Sequence, residues 1–252
     1  MLTTYLSQTK RLLQNPSSAV TALYTDADLT IYVNTARGQV AGDGECIRVL
    51  GTISTAVGTR NYNFSGINVG VPASTGIQGV IHVRSIRYGV GASGSVLLTS
   101  RAWEWFEYYC LNNAIPQNGV IAEWAQYAQG AAPPPSGAAI GGSFYLDPPP
   151  NAIYALTCDC VCYPAALVAD ADPEALPFYW TDAVPYYAAY AALMSAQTNA
   201  RINDANRMLE LYNTFIERAR QFSNPSLHRS QYQQSGDPVQ AGKLGLTQQK
   251  GQ

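Results

Sequence analysis

Apolar residues recur at two different periods along the chain, and the change of period divides it. From Thr3 to about Gln14, Tyr5, Leu6, Leu12 and Leu13 fall at helical spacing until Asn15-Pro16 ends the run. A second helix is expected from Thr25, which can serve as N-cap with Asp26 and Asp28 at the positive end of the helix dipole. Leu29, Val33, Ala36 and Val40 follow at steps of three and four, and Gly42-Asp43-Gly44 is expected to stop the helix. Between Cys46 and Thr99 the period falls to two. Ile47 to Ile53, Arg60 to Phe64 and Gly79 to Tyr88 are short, alternating and separated by Gly, Asn and Ser, the pattern of antiparallel strands and hairpins.

Ser100 to Asn112 reads as a single aromatic-rich helix, with Trp103, Phe106 and either Tyr109 or Cys110 turned inward. Glu104 and Glu107 lie three apart on its other face; they suit a stripe facing solvent or another subunit better than an acid-base pair. Strands return at Val120 to Tyr127. Residues 128–142 have no period and contain three consecutive prolines, and a loop of this length is usually functional or a linker. In the last third, Thr181 and Asp182 can cap a helix with Pro185 in its first turn, and the body Y-Y-A-A-Y-A-A-L-M presents small residues that allow close approach. A further helix from about Asn199 to Phe222 carries Ile202, Met208, Leu211, Tyr212, Phe215, Ala219 and Phe222 near core spacing. The two would form an antiparallel hairpin or one bent helix.

Between these regions stands T-C-D-C-V-C-Y, residues 157–163, with three of the five cysteines at alternate positions. On an extended strand Tyr154, Leu156, Cys158, Cys160 and Cys162 share one face, while Ile153, Ala155, Thr157, Asp159 and Val161 share the other. Alternate side chains on a strand are about 6.6 Å apart, whereas thiolates on one tetrahedral zinc approach to roughly 3.8 Å. One strand therefore cannot present all three sulfurs to one ion. The expected role is that of small, buried, apolar-like side chains on a sheet face.

Composition changes the picture in one respect. Hydrophobic residues make up 47% of the 252 residues, enough for a real core, but charged residues make up only 13%, and there are 17 tyrosines. Interface cores are poor in Lys, Glu and Asp and rich in aromatics, so much of the surface is expected to be covered by partners. The net charge of -2 argues against a protein that reads nucleic-acid sequence, though not against one that lets nucleic acid pass. The N-terminal M-L-T-T-Y-L-S-Q-T-K-R lacks the apolar run of a secretory signal, and the Ala183 to Met194 stretch falls short of the roughly 20 residues that span a bilayer. No membrane segment is expected, and an odd number of cysteines reads as free thiols in a reducing compartment.

Candidate chemistry is sparse. Gly89-Val90-Gly91-Ala92-Ser93-Gly94 matches G-x-G-x-x-G, but the preceding I-H-V-R-S-I-R-Y carries Arg84 and Arg87 and the following S-V-L-L-T looks like another strand, so a hairpin turn is favoured over a dinucleotide site. Asp170, Asp172 and Glu174 lack the glycine and ligand spacing of an EF-hand and are expected to be solvated loop acids or a helix cap. His82 lies mid-strand and His228 in the C-terminal segment, and neither has a recognisable catalytic setting. No catalytic residue, cofactor or metal ligand is assigned. From Ser223 to Gln252 nothing is periodic. Such a composition does not order itself, and a partner is expected to order it, with packing on its own domain as the alternative.

The layout is α+β. It comprises N-terminal helices (1–45), a β-rich insertion (46–99), a central helix (100–113), a second β-rich region with the 128–142 loop (114–179), a helix pair (180–222) and an extended tail (223–252). The order of D-A-D-L-T-I-Y-V-N-T-A-R-G-Q-V-A, G-E-C-I-R, F-Y-L-D-P-P-P-N-A-I-Y-A-L, L-P-F-Y-W-T-D-A-V-P-Y-Y-A-A-Y-A-A-L and N-D-A-N-R-M-L-E-L-Y-N-T-F resembles the head-to-tail adaptor (connector) proteins of short-tailed bacteriophages over roughly residues 1–225.

The resemblance implies a structural part of the virion neck, assembled in the host cytoplasm: a helical core with β-rich insertions, forming a dodecameric ring with itself. The ring would dock under the portal protein, extend the channel for genomic DNA without sequence recognition, and seat a tail nozzle or tail fibre protein. The C-terminal extension would reach the portal, with Leu227, Tyr232, Pro238, Val239, Leu244 and Leu246 as anchors able to fill pockets. A tail nozzle or tail-tube component, or a small-molecule or glycan-binding module, remain the rival classes.

Overall fold

The computed structural model describes residues 1–14, 23–89, 94–112, 117–128, 141–195 and 199–223. Helix α1 (Leu2–Leu12) buries Leu2 and Tyr5. Helix α2 (Asp26–Gly44) begins as its sequence requires: Thr25 Oγ1 accepts from the Asp28 N–H at 3.2 Å and the Asp28 carboxylate accepts from the Thr25 N–H at 3.1 Å, a reciprocal cap. It ends within the expected Gly42-Asp43-Gly44, its last helical residue being Gly44, and is capped by Glu45 in the left-handed region at φ 46°. Two of its glycines are sites of close packing: an added Cβ would lie 2.3 Å from the Trp180 ring at Gly44 and 2.0 Å from the Tyr163 hydroxyl at Gly38.

Two sheets follow. Strands β1 (Arg48–Ser54), β3 (Ile77–Gly89), β4 (Ser95–Leu97) and β8 (Ala155–Pro164) form one, in the order β1-β8-β3-β4 with every pair antiparallel. Strands β2 (Asn61–Asn63), β5 (Thr99–Ser100), β6 (Glu123–Ala128) and β7 (Ser143–Asp147) form the other, in the order β2-β7-β6-β5. The short helix α3 (Pro72–Thr75) leads into β3. Antiparallel pairing was expected throughout, yet β5 runs parallel to β6. The chain changes sheets at Leu98: its N–H donates to Ile86 O of β3, whereas Thr99 N–H donates to Ala122 O beside β6, so β5 enters the second sheet from outside.

The strict alternation expected of Gly79 to Tyr88 is also broken. Ile77, Val80, Val83 and Ile86 are buried at steps of three, because the β3–β8 register shifts at three places and each irregularity advances the phase. Strand β8 buries Leu156, Cys158, Cys160 and Cys162 fully on one face as expected; on the other, Thr157 and Asp159 are half-buried but Val161 is fully buried too, so this end of the strand is covered on both faces. Burial raises the Cys158 and Cys162 thiols to about 12 and pushes Cys160 up as well. All five cysteines are free thiols. Past Gly89 the chain returns in β4, pairing Tyr88 with Val96 and Gly89 with Ser95, so the described residues on either side of the glycine-rich stretch are paired antiparallel strands.

After the short helix α5 (Phe178–Thr181), α6 (Val184–Ser195) and α7 (Asn199–Ser223) pack antiparallel, with Tyr186 stacked on Phe215 at 4.8 Å and Tyr187 against Tyr212 at 5.0 Å. Ala188, Ala189 and Ala192 of α6 are fully buried, and Ala192 packs with Tyr24 and Leu29. The buried stripe of α7 is Ala205, Tyr212, Ile216 and Ala219. The sequence reading places Ile202 and Phe222 on it, but both are exposed. Each stands ten residues from Tyr212, about 80° around the helix at 100° per residue, which puts it on the rim. No helix among the described residues is long and apolar enough to cross a membrane.

Candidate interaction surfaces

Of the three acids expected as solvated loop groups or a helix cap, Asp170 and Asp172 lie in the loop after β8 and accept from backbone N–H groups. Asp172 accepts from the Val168 and Ala169 N–H groups at 2.6 and 2.7 Å, and Asp170 accepts from the Thr3 N–H at 3.0 Å. The Met1 ammonium, which also donates to Asp170, followed by the Thr3 contacts, holds the Asp170 carboxyl below the usual carboxylate range, and the Ala169 and Val168 N–H groups do the same for Asp172. Glu174 differs from the expectation: it is largely buried and pairs bidentately with Arg37 of α2, Nη2 to Oε1 at 2.7 Å and Nε to Oε2 at 3.1 Å. The Tyr5 hydroxyl donates to the same carboxylate at 2.9 Å, and Arg37 also donates to Ala165 O at 2.6 Å. This node ties α1, α2 and the segment after β8 together. Burial and the Glu174 charge drive the Tyr5 phenol well above its ordinary value. Arg37 also donates to Asn34 Oδ1 at 3.2 Å and Glu174 accepts from the Leu176 N–H at 3.0 Å, so the node is built into the fold and reads as structural.

The region expected as one helix is α4 (Trp103–Phe106) followed by a π turn (Glu107–Leu111). A second polar node holds it: Arg60 donates to Cys110 O at 3.1 Å and to Asp147 at 2.9 Å. Burial, with the Asp147 charge, lifts the Cys110 thiol to about 11. Phe106 and Cys110 face inward, and Trp103 packs on Tyr127 and Tyr145; Tyr109 faces out. The outer face is a run of rings, Trp105 on Tyr109 at 5.0 Å and Tyr109 on Tyr108 at 4.9 Å, with Tyr108 67% exposed. Arg101 lies 4.5 Å over Trp105 and pairs with Glu123 at 2.6 Å. Glu104 and Glu107 flank the rings, and among the described residues neither has an ion-pair partner.

On the helical side a groove runs between α1, α6 and α7. One part, of about 400 Å³, is lined by Arg11, Leu12, Asp182, Pro185, Tyr186 and Phe215 among others. The other, of about 250 Å³, shares Asp182 and Phe215 and is walled by Phe178, Tyr179, Arg218 and Phe222. Tyr179 stacks on Phe222 at 5.6 Å, Arg218 lies 5.8 Å from the Phe222 ring, and Phe178 is 75% exposed. The P-F-Y-W-T turn sends Trp180 and Thr181 inward and leaves Phe178 and Tyr179 outside, a division that five residues of sequence cannot reveal.

The portal-contact residues of the sequence reading, Leu227, Tyr232, Pro238, Val239, Leu244 and Leu246, lie outside the described residues, as do His228 and positions 129–140 of the long loop. His82 is described, in β3, with Nε2 3.7 Å from Glu45.

Large aromatic surfaces on a small, charge-poor protein mark something that works by contact. A family model for the SU10 adaptor protein matches residues 2–238. The chain belongs to the SU10 adaptor protein family. No curated protein matches it. The family is one of phage adaptor proteins, so this adaptor is a structural component of a virion. The α+β architecture expected from the sequence is the one observed.

Proposed function

We propose that this adaptor forms a ring, dodecameric as in the phage adaptors it resembles, that docks beneath the portal, extends the DNA channel and seats the tail. The observation that supports this reading is the reach of the family match, which covers both the helical core and the chain beyond α7 as far as residue 238. In this reading residues 223–252 engage the portal through Leu227, Tyr232, Pro238, Val239, Leu244 and Leu246. Fixing such a segment costs roughly 1–2 kcal/mol per residue in backbone entropy, so isolated weak contacts do not hold it. A ring makes the attachment multivalent, and release then requires many segments to let go together. DNA passes through the lumen without sequence recognition, in keeping with the net charge of -2.

Truncation after Phe222 tests this reading. The shortened adaptor should keep the stability of the full chain to within about 0.5 kcal/mol, since no described contact of residues 1–222 is removed. It should fail to co-sediment with portal rings. Normal joining by the truncated adaptor overturns the assignment of the C-terminal segment.

A further inference from the structure

The adaptor carries two exposed aromatic surfaces of different shape and opposite charge. The turn that follows β5 exposes Trp105, Tyr108 and Tyr109 together with Glu104 and Glu107, while Arg101 beside it is paired with Glu123 and Arg60 with Asp147. The helical groove is concave, walled by Phe178, Tyr179 and Phe222, and among its described lining residues the guanidinium groups of Arg11 and Arg218 stand against one carboxylate, that of Asp182. Among the described residues neither Arg11 nor Arg218 has a salt-bridge partner.

We propose that the aromatic turn of one copy seats in the helical groove of a second copy, Glu104 and Glu107 facing Arg11 and Arg218 while Trp105 and Tyr109 pack on Phe178, Tyr179 and Phe222. The inference rests on the ring reading above and names the surfaces that make the ring. Three features support it. The turn is held in a π conformation by Arg60, Asp147 and the Cys110 carbonyl, so its outward rings are presented by a braced element. The charges are complementary only in this pairing: turn against turn sets carboxylates against carboxylates, and groove against groove sets guanidinium groups together. The two surfaces are also different patches of one chain, so their contact is heterologous, the kind that builds a ring when the rotation between copies closes. Nucleic acid is a poor occupant of the turn, because Glu104 and Glu107 flank its rings.

Charge reversal on the full-length adaptor, read by native mass spectrometry with and without portal, provides the test. Glu104→Lys with Glu107→Lys, and separately Arg11→Glu with Arg218→Glu, should each weaken self-association at least about tenfold. All four positions are exposed, and unchanged thermal unfolding checks that each variant folds. Mixing the two variants in equal amounts should restore assembly as alternating rings, since each turn then meets a groove of opposite charge. Phe222→Ala and Trp105→Ala should weaken assembly without being rescued by mixing. Rings that form normally from both reversed variants, or a mixture that stays apart, overturn this pairing while leaving the ring reading in place. Wild-type adaptor that stays monomeric even with portal overturns both.

Discussion

Tyrosine occupies two opposite situations in this molecule. Tyr5 and Tyr212 are each 2% exposed, and their hydroxyls donate to Glu174 at 2.9 Å and to Asp43 at 2.7 Å. Tyr108 and Tyr179 are more than half exposed and contact mainly other exposed rings. The first pair joins elements distant in sequence into one core, as buried amphipathic rings do when the polar tip finds a partner. The second pair contributes little to that core, since its area stays wet. An aromatic surface that the fold does not need is therefore available for contact, and residue type alone did not separate the two uses.

The contrast between interior and rim can be attacked in order of size. The largest effect should be alkaline. Cys46, Cys158 and Cys162 are held at about 12 and Cys110 at about 11, chiefly by burial, against about 8.5 for an unfolded thiol. A folded value above the unfolded one means that the contribution is complete below about pH 8.5 and is lost as pH rises towards 12. Several thiols act together, so urea midpoints should fall steeply over that range. Midpoints that stay level from pH 8 to 11 would show that the cysteine face is not buried.

Next comes Arg37→Ala. It leaves Glu174 buried without its partner and should cost about 3–5 kcal/mol in chemical denaturation. A loss below about 1 kcal/mol would demote the node to a surface pair. Gly44→Ala should cost about 1–3 kcal/mol by forcing Trp180 aside, whereas Gly42→Ala, where an added Cβ meets nothing within 4 Å, should be neutral or stabilising by up to about 1 kcal/mol. Equal effects at the two glycines would contradict the packing account of α2. The smallest change is expected on the rim: Phe178→Ala and Tyr108→Ala should leave stability within about 0.5 kcal/mol while altering association.

What the sequence made legible was local. The Thr25 cap, the buried cysteine face of β8, the hairpin at Gly89 and the alanine-lined α6 all depend on residues within a few positions of one another. What it hid was long-range. The Arg37–Glu174 pair spans 137 positions, and nothing near Glu174 distinguishes it from Asp172, which only caps its own loop. The π turn is set by Arg60 and Asp147, far from Tyr109, so a regular helical reading could not choose between Tyr109 and Cys110. Ile202 and Phe222 have the residue types of core positions but lie on the rim. The aromatic turn and the groove were visible as residues, and only the fold shows that they face outward.

The proposed role stands or falls on whether this chain assembles with itself and a portal. Native mass spectrometry of the full adaptor, alone and mixed with the portal of the same particle, decides between these outcomes. A ring-sized assembly bound to portal is expected. A chain that remains a monomer and ignores portal, above all one carrying a small-molecule adduct, would contradict it.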